Sequence, residues 1–185
     1  MKFHPTPLAG AYRIEPERIE DERGFFAALL SEEEYAARGL KTRFVRVSSS
    51  LSTRRGTLRG MHYQLPAAAE AKLVRCIRGA LWDVILDLRS DSPTFGRWSG
   101  AELSAENRAM VYVPEGVAHG FITLVDETEV IYLSTAPYAP RLERGVRWDD
   151  PKFAIRWPIE PTVMSEKDRS HPDFDGPIGP APRGM

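Results

Sequence analysis

The chain has one cysteine, Cys76, in 185 residues. An internal disulfide is therefore excluded, and nothing in the cysteine usage marks an oxidising compartment. Net charge is equally scarce, because 25 basic residues against 26 acidic ones leave a formal charge of -1. Such a balance supplies no bulk attraction to nucleic acid or to an anionic membrane, although it leaves room for a local basic cleft. Long apolar runs are missing too. The opening Met1-Lys2-Phe3-His4-Pro5 lacks the apolar segment of a signal peptide, and no stretch approaches membrane-spanning length. These absences lead to the expectation of a cytoplasmic protein with neither nucleic-acid nor membrane partners.

What is present suffices for a folded core. A hydrophobic fraction of 42% with 28% charged residues is that of a globular chain, and the length fits one domain over residues 1–185. Gly10 to Glu15 read as a strand stopped by Pro16, Asp21-Glu22-Arg23-Gly24 as a turn, and Phe25 to Leu30 as an apolar strand. Ser31 fits an N-cap, Glu34 completes a capping box and Gly39 fits the position after the last turn. Glu32 to Arg38 is thus expected to be a short polar connecting helix.

From Phe44 onward, short β-favouring runs are punctuated by turn residues. They are Phe44–Ser52, Thr57–Gln64, Lys72–Ile77, Ala80–Leu88, Met110–Val113, Gly120–Leu124 and Glu129–Ser134. Arg78-Gly79 makes a tight reversal, and Ser104-Ala105-Glu106-Asn107 reads as one capped helical turn. Many short strands with almost no helix between them indicate an all-β antiparallel sandwich or barrel. After Tyr138 the chain turns proline-rich, and Trp148 and Trp157 are expected to pack across the barrel. Residues 174–185 offer little to bury and are expected to fray.

The chemistry gathers around Gly56-Thr57-Leu58-Arg59-Gly60-Met61-His62-Tyr63-Gln64. Strict alternation would put Leu58, His62 and Gln64 on one face and Arg59, Met61 and Tyr63 on the other. A bulge at Gly60 would bring Arg59 and His62 onto the same face. A strand interior suits a cation and an imidazole only if they line a cavity; the alternative is an edge strand with solvated polar groups. Of the other histidines, His4 and His171 lie near the ends and read as surface residues. His119 follows Pro114-Glu115-Gly116-Val117-Ala118, and this P-x-G-x-x-H spacing resembles the second motif of cupin jelly rolls. Metal-binding cupins add an H-x-H pair and a carboxylate in their first motif. Here the first motif offers His62-Tyr63-Gln64, with no second histidine, and no metal is expected.

The joint pattern is more specific than any piece. Asp21 to Phe26, Gly56 to Gln64, Ala71 to Cys76, Asp83-Val84, Asp87-Leu88-Arg89 and Ser92 to Gly96 occur in order without large insertions. Pro114 to Phe121, Tyr132, Tyr138, Trp148 to Pro151 and Ser165 to Asp168 continue the series. Together they resemble the dTDP-4-dehydrorhamnose 3,5-epimerase family over nearly the whole chain. The resemblance implies a cupin-type antiparallel jelly roll with short peripheral helices, forming a homodimer. It also implies a nucleotide-diphosphate sugar substrate, a 4-keto-6-deoxyhexose, epimerised at C3 and/or C5 through an enolate without a cofactor.

By the same resemblance His62 is the base, a role suited to imidazole as a side-chain type, and Asp168 is its dyad partner. Lys72 stabilises the enolate. Each pKa unit of mismatch between carbon acid and imidazole costs about 1.4 kcal/mol. One oxyanion donor returns only roughly 2.7–4 kcal/mol. Lys72 must therefore act with others, and His119 is the candidate for a second donor or for orienting His62. Tyr132 is the general acid on the far face. Arg59 and Arg23 resemble diphosphate contacts, where a guanidinium binds oxygens bidentately, with Arg23 and Phe26 reaching over from the partner subunit. Tyr138 sits near the sugar, and Gln64, Arg46 and Ser48 complete the expected substrate contacts. Family members often carry glutamate, glutamine and asparagine at the positions of Ala28, Arg46 and Ser48, so the base specificity stays open. Two other functions fit the same fold, a ketoisomerase moving the carbonyl between C4 and C3 and a non-catalytic sugar-nucleotide-binding cupin.

Overall fold

In a computed structural model of the chain, residues 1–176 and 179 are described. In chain order the elements begin with β1 (Lys2–Pro5), β2 (Tyr12–Glu15), β3 (Ile19–Asp21), β4 (Gly24–Phe26) and helix α1 (Glu32–Ala36). Next come β5 (Arg46–Ser52), β6 (Thr57–Gln64), β7 (Lys72–Arg78), β8 (Ala80–Asp87) and β9 (Trp98–Ser104). The series closes with β10 (Met110–Val113), β11 (Val117–Thr123), β12 (Thr128–Ser134), β13 (Glu143–Gly145), β14 (Val163–Met164) and helix α2 (Glu166–Arg169).

Two six-stranded sheets pack face to face. One runs β1-β2-β10-β7-β12-β5; the other runs β13-β6-β11-β8-β9, with β14 added to β6. All pairings are antiparallel except the short β14–β6 contact. Alternation along the strands sorts the side chains into three apolar layers. Val74, Cys76, Val111 and Val130 of the first sheet meet Leu81, Ile85, Leu103 and Phe121 of the second in the interior. On the outer face of the first sheet Ile14, Leu73, Met110 and Tyr112 are covered by Tyr35 of α1 and by Leu40. On the outer face of the second, Met61, Val84, Leu86 and Ala118 are covered by the C-terminal segment through Val146, Phe153 and Trp157.

Several details differ from the sequence expectation. The helix is shorter than Glu32–Arg38, and it is an anchor rather than a polar connector, because Tyr35 is fully buried against Phe3 and Tyr112. Ser31 does cap it, accepting from Glu34 N–H at 3.3 Å, but the Glu34 carboxylate reaches the ammonium of Met1 instead of closing the box. The strand expected from Phe25 to Leu30 stops at Phe26, since this ribbon pairs only with β3 and has no sheet on which to bury its apolar side chains. Ser104 to Asn107 form a turn and not a helical turn, held by reciprocal bonds between each side chain and the other's backbone N–H. Strand β9 went unread because it carries Ser99, Gly100, Ser104 and a charge, and only one of its residues is strongly apolar at an interior position, Leu103. The expected fraying does not begin at residue 174. Phe174 meets Phe153 edge to face at 5.2 Å between ring centroids and its N–H donates to Asp150; most of the stretch beyond it lies outside the described residues.

Candidate active site

A cleft of about 620 Å3 opens at one end of the sandwich, between the two sheets and the β14–α2 segment. The bulge anticipated at Gly60 is what directs the second sheet's polar groups into it. Between the pairs His62–His119 and Arg59–Phe121, β6 carries one residue more than β11. Gly60 sits there with φ +118°, and a Cβ on it would lie 2.6 Å from Gly120 Cα. Only glycine tolerates that backbone and that approach. Arg59 and His62 thereby face the same cleft, while Met61 is turned into the outer apolar layer.

His62 Nε2 lies 2.6 Å from Asp168 Oδ1. Asp168 is buried at 4% exposure and is fixed on α2, where its backbone N–H is capped by Ser165 Oγ; its Oδ2 accepts from Gly60 N–H at 3.3 Å. Burial alone would push this carboxyl up. The bonds and charge of His62, with the donors Gly60 and Ser165, outweigh it and hold the group below the usual aspartate range. The Nδ1 atom of His62 makes no hydrogen bond among the described residues. A neutral ring that donates from Nε2 to Asp168 carries its lone pair on that second nitrogen.

His119, directly opposite His62 in register, has a carboxylate of its own. Its Nε2 lies 2.6 Å from Asp83 Oδ2, with both side chains buried. Asp83 had no assigned role, yet its signal is in the sequence. It alternates with Leu81 and Ile85 on the inward face of β8, where an unpaired acid would be costly.

The first sheet supplies the other wall. Lys72 and Tyr132 line the cleft from β7 and β12, and Lys72 Nζ is 3.3 Å from Glu70 Oε1. Glu70 is also a lining residue that sequence reasoning passed over; its Oε2 is buried without a partner among the described residues. Arg46 and Ser50 line the same wall, and Arg46 lies over the Tyr138 ring at 5.4 Å. Ser48 stands between them on the same face of β5, opposite Tyr132, but is not part of the lining. At the mouth, Tyr138 OH donates to Glu143 Oε2 at 2.9 Å, and Lys167 binds the same oxygen. That bond to Glu143 pushes the Tyr138 phenol up. Arg59 is braced by Ser52 Oγ and Leu51 O, both at 3.1 Å.

Two further expectations need correction. Gln64 shares the His62 face of β6 but does not line this cleft, because its amide is fully engaged by neighbouring loops. Its amide donates to Ala68 O and Pro137 O and accepts from Ala139 N–H, which ties two loops together. His171 is not a surface histidine. Only 13% of its side chain is exposed, and burial, then the charge of His62, lower its pKa. Arg23 and Phe26, expected to reach the cleft of a partner subunit, lie on the exposed β3–β4 ribbon and outside the cleft of their own chain. His4, by contrast, is on the surface as expected, 3.5 Å from Glu15.

No helix among the described residues is long and apolar enough to cross a membrane. The profile of the dTDP-4-dehydrorhamnose 3,5-epimerase family matches residues 5–176. A dTDP-4-dehydrorhamnose 3,5-epimerase of Sinorhizobium fredii is 46% identical over 94% of this chain and 90% of its own. Among solved structures, the dTDP-4-dehydrorhamnose 3,5-epimerase of Elizabethkingia anophelis superposes with a TM-score of 0.90 at 43% identity, covering 94% of this chain and 96% of that one. The Bacillus anthracis dTDP-4-dehydrorhamnose 3,5-epimerase with TDP and PPi bound does so with a TM-score of 0.89 at 40% identity, covering 94% and 99%.

Proposed function

Because the chain belongs to the dTDP-4-dehydrorhamnose 3,5-epimerase family, with its cupin-type jelly roll and its epimerase chemistry, we propose how this cleft inverts a dTDP-linked 4-keto-6-deoxyhexose at C3 and C5. Both carbons flank the C4 carbonyl, so loss of either proton leaves an enolate. Inversion then requires a proton to leave one face of the ring plane and another to arrive at the opposite face.

The observation that carries this reading is the origin of the proton-handling groups. His62 enters the cleft from the second sheet and Tyr132 from the first, so base and acid face each other across the space a sugar ring would fill. His62 accepts the carbon-bound proton at Nδ1, and Asp168 orients the ring and stabilises the imidazolium. Lys72 stabilises the enolate oxygen, and His119, with a proton on each ring nitrogen and Nε2 held by Asp83, serves as the second donor. Tyr132 delivers its hydroxyl proton to carbon from the other face and is reprotonated from solvent. Every step is proton transfer between the sugar, these side chains and solvent.

Arg59 anchors the diphosphate, while Tyr138 and Arg46 border the sugar and the nucleoside. Arg23 and Phe26 serve the cleft of a partner subunit in a homodimer. What supports this is an exposed apolar surface that a lone chain leaves wet, with Ile19 and Phe26 each 70% exposed and Val47 66%. A cytoplasmic setting fits the single cysteine, Cys76, a buried free thiol. The deciding experiment is NMR of dTDP-4-keto-6-deoxyglucose with the enzyme in heavy water. Deuterium entering at both C3 and C5 with the carbonyl still at C4 is the expected result. Migration of the carbonyl to C3, or exchange at neither carbon, overturns the proposal.

A further inference from the structure

Asp168 Oδ1 is faced by two imidazoles. His62 Nε2 lies 2.6 Å from it and His171 Nε2 lies 4.0 Å away, and the two rings meet edge to face at 6.3 Å between centroids. The Nε2 atom of His171 is buried and has no hydrogen-bond partner among the described residues. It occupies space that Gly145 leaves open, since a Cβ there would come within 2.0 Å of it. An orphaned buried nitrogen is costly unless something takes its lone pair or its proton.

One donor atom from each of His62, Asp168 and His171 lies within 4.8 Å of the other two. A tetrahedral divalent ion with bonds of about 2.0–2.1 Å spaces its ligand atoms by roughly 3.3 Å. His62 and Asp168 would part slightly to reach that spacing, and His171 would close by a similar amount. Two imidazoles and one carboxylate suit zinc or cobalt, and not magnesium or calcium, which prefer all-oxygen sites. Glu143 and Lys167, the other charged groups beside the cluster, neutralise each other as a pair and leave the Asp168 charge to act on the cation.

We propose that His62, Asp168 and His171 form a binding site for a zinc-class divalent cation, and that occupancy of this site inhibits the enzyme by disabling its base. The inhibition rests on the assignment of His62 as the base. In the metal-free dyad Nε2 donates to Asp168 and Nδ1 keeps its lone pair for the substrate proton. A cation on Nε2 takes the lone pair there, so the one proton of the neutral ring resides on Nδ1. No lone pair then remains to accept a proton from carbon, and the Asp168 oxygen is also withdrawn from the dyad.

The test uses the full chain freed of metal by chelation. Titration with Co2+ is expected to give the visible absorption of a four-coordinate ion at one equivalent per chain, displaced by Zn2+. Zn2+ is expected to inhibit turnover, and excess chelator to restore it. His171→Ala should abolish the Co2+ band and raise the half-inhibiting Zn2+ concentration at least about tenfold. His171→Asn, which keeps a polar group against Gly145, gives the same readout should the alanine variant fail to fold. An unchanged band or unchanged inhibition in a folded His171 variant overturns the site. So does the absence of both in the parent enzyme at millimolar metal. Co2+ bound with undiminished turnover overturns the inhibition and the role of His62 as base, while leaving the coordination intact.

Discussion

His62 and His119 stand opposite each other across the β6–β11 pair, and each directs Nε2 at a buried carboxylate of its own, 2.6 Å away in both cases. The two imidazoles are similar in bonding and differ in access. His62 keeps 29% of its side chain exposed, on the cleft, against 10% for His119. On the proposed mechanism the exposed ring exchanges protons with the substrate and the buried one holds an oxygen still.

This asymmetry separates proton removal from proton return. His62→Ala should lower both solvent deuterium exchange and product formation by at least about a hundredfold, the usual contribution of a general base. Tyr132→Phe should retain exchange at the sugar carbon while losing most net inversion. The check is deuterium incorporation by NMR alongside product yield, and loss of both in a folded Tyr132→Phe protein would show that the roles are divided differently.

Turnover itself should not depend on a metal. The proposed proton relay draws on His62, Tyr132, Lys72 and Asp168, all of which line the cleft and none of which needs a cation to act. Dialysis against a strong chelator should leave kcat unchanged. A chelated enzyme that is inactive and is revived by one stoichiometric divalent ion would contradict this.

Asp87 gives a stability prediction remote from the cleft. It is fully buried and accepts from Arg89 Nε and Nη2, Ser92 Oγ and Thr94 Oγ1, at distances from 2.5 to 2.9 Å. Burial pushes its carboxyl up, but these donors outweigh burial and leave it below the ordinary aspartate value. A depressed carboxylate contributes stability that is present above the unfolded value of about pH 4 and is lost as the pH falls through the lower folded value. Asp87→Asn should cost about 3 kcal/mol at pH 7, and its deficit should shrink as the pH is taken toward 3. Urea unfolding of both proteins at a series of pH values measures this; a deficit that grows on acidification would reverse the sign.

The nucleotide carrier is the last point open to test. Arg46 lines the cleft with a buried Nε that has no partner among the described residues, and Ala28 lies exposed outside it. Arginine offers only donors, so a pyrimidine base is to be read through its carbonyl oxygens, which thymine and uracil share. The dTDP- and UDP-linked 4-keto sugars should therefore differ little in kcat/KM. A preference for dTDP beyond roughly a hundredfold, more than one methyl contact supplies, would mean that other residues read the base.

The sequence was most legible where a local rule fixes the backbone. The limits of β6 and β10, the Ser31 cap and the Gly60 bulge all follow from turn chemistry and side-chain period. It was least legible where the partner lies far along the chain. Asp83 and His119 are separated by 36 residues, and Gly60 and Asp168 by 108, so no window contains both members of either pair. The fate of Gln64 turned on loop backbone more than 70 residues away, at Pro137 and Ala139, and that of His171 on the bare backbone of Gly145. Neither is visible until the strands are in register.

Lys72 and Tyr132 belong to one sheet and His62 and His119 to the other, with the packed interior between them. That interior is therefore a gauge as well as a source of stability. The bulk of Val74, Phe121 and Val130 sets how far the two walls stand apart. A close-packed core transmits small changes in volume as displacement, and catalysis is sensitive to shifts of about an ångström. Variants selected for a tighter core can thus be expected to drift in rate and in the balance between the two carbons, though no altered side chain touches the sugar. The width of the sandwich is in this sense an inherited dimension of the reaction.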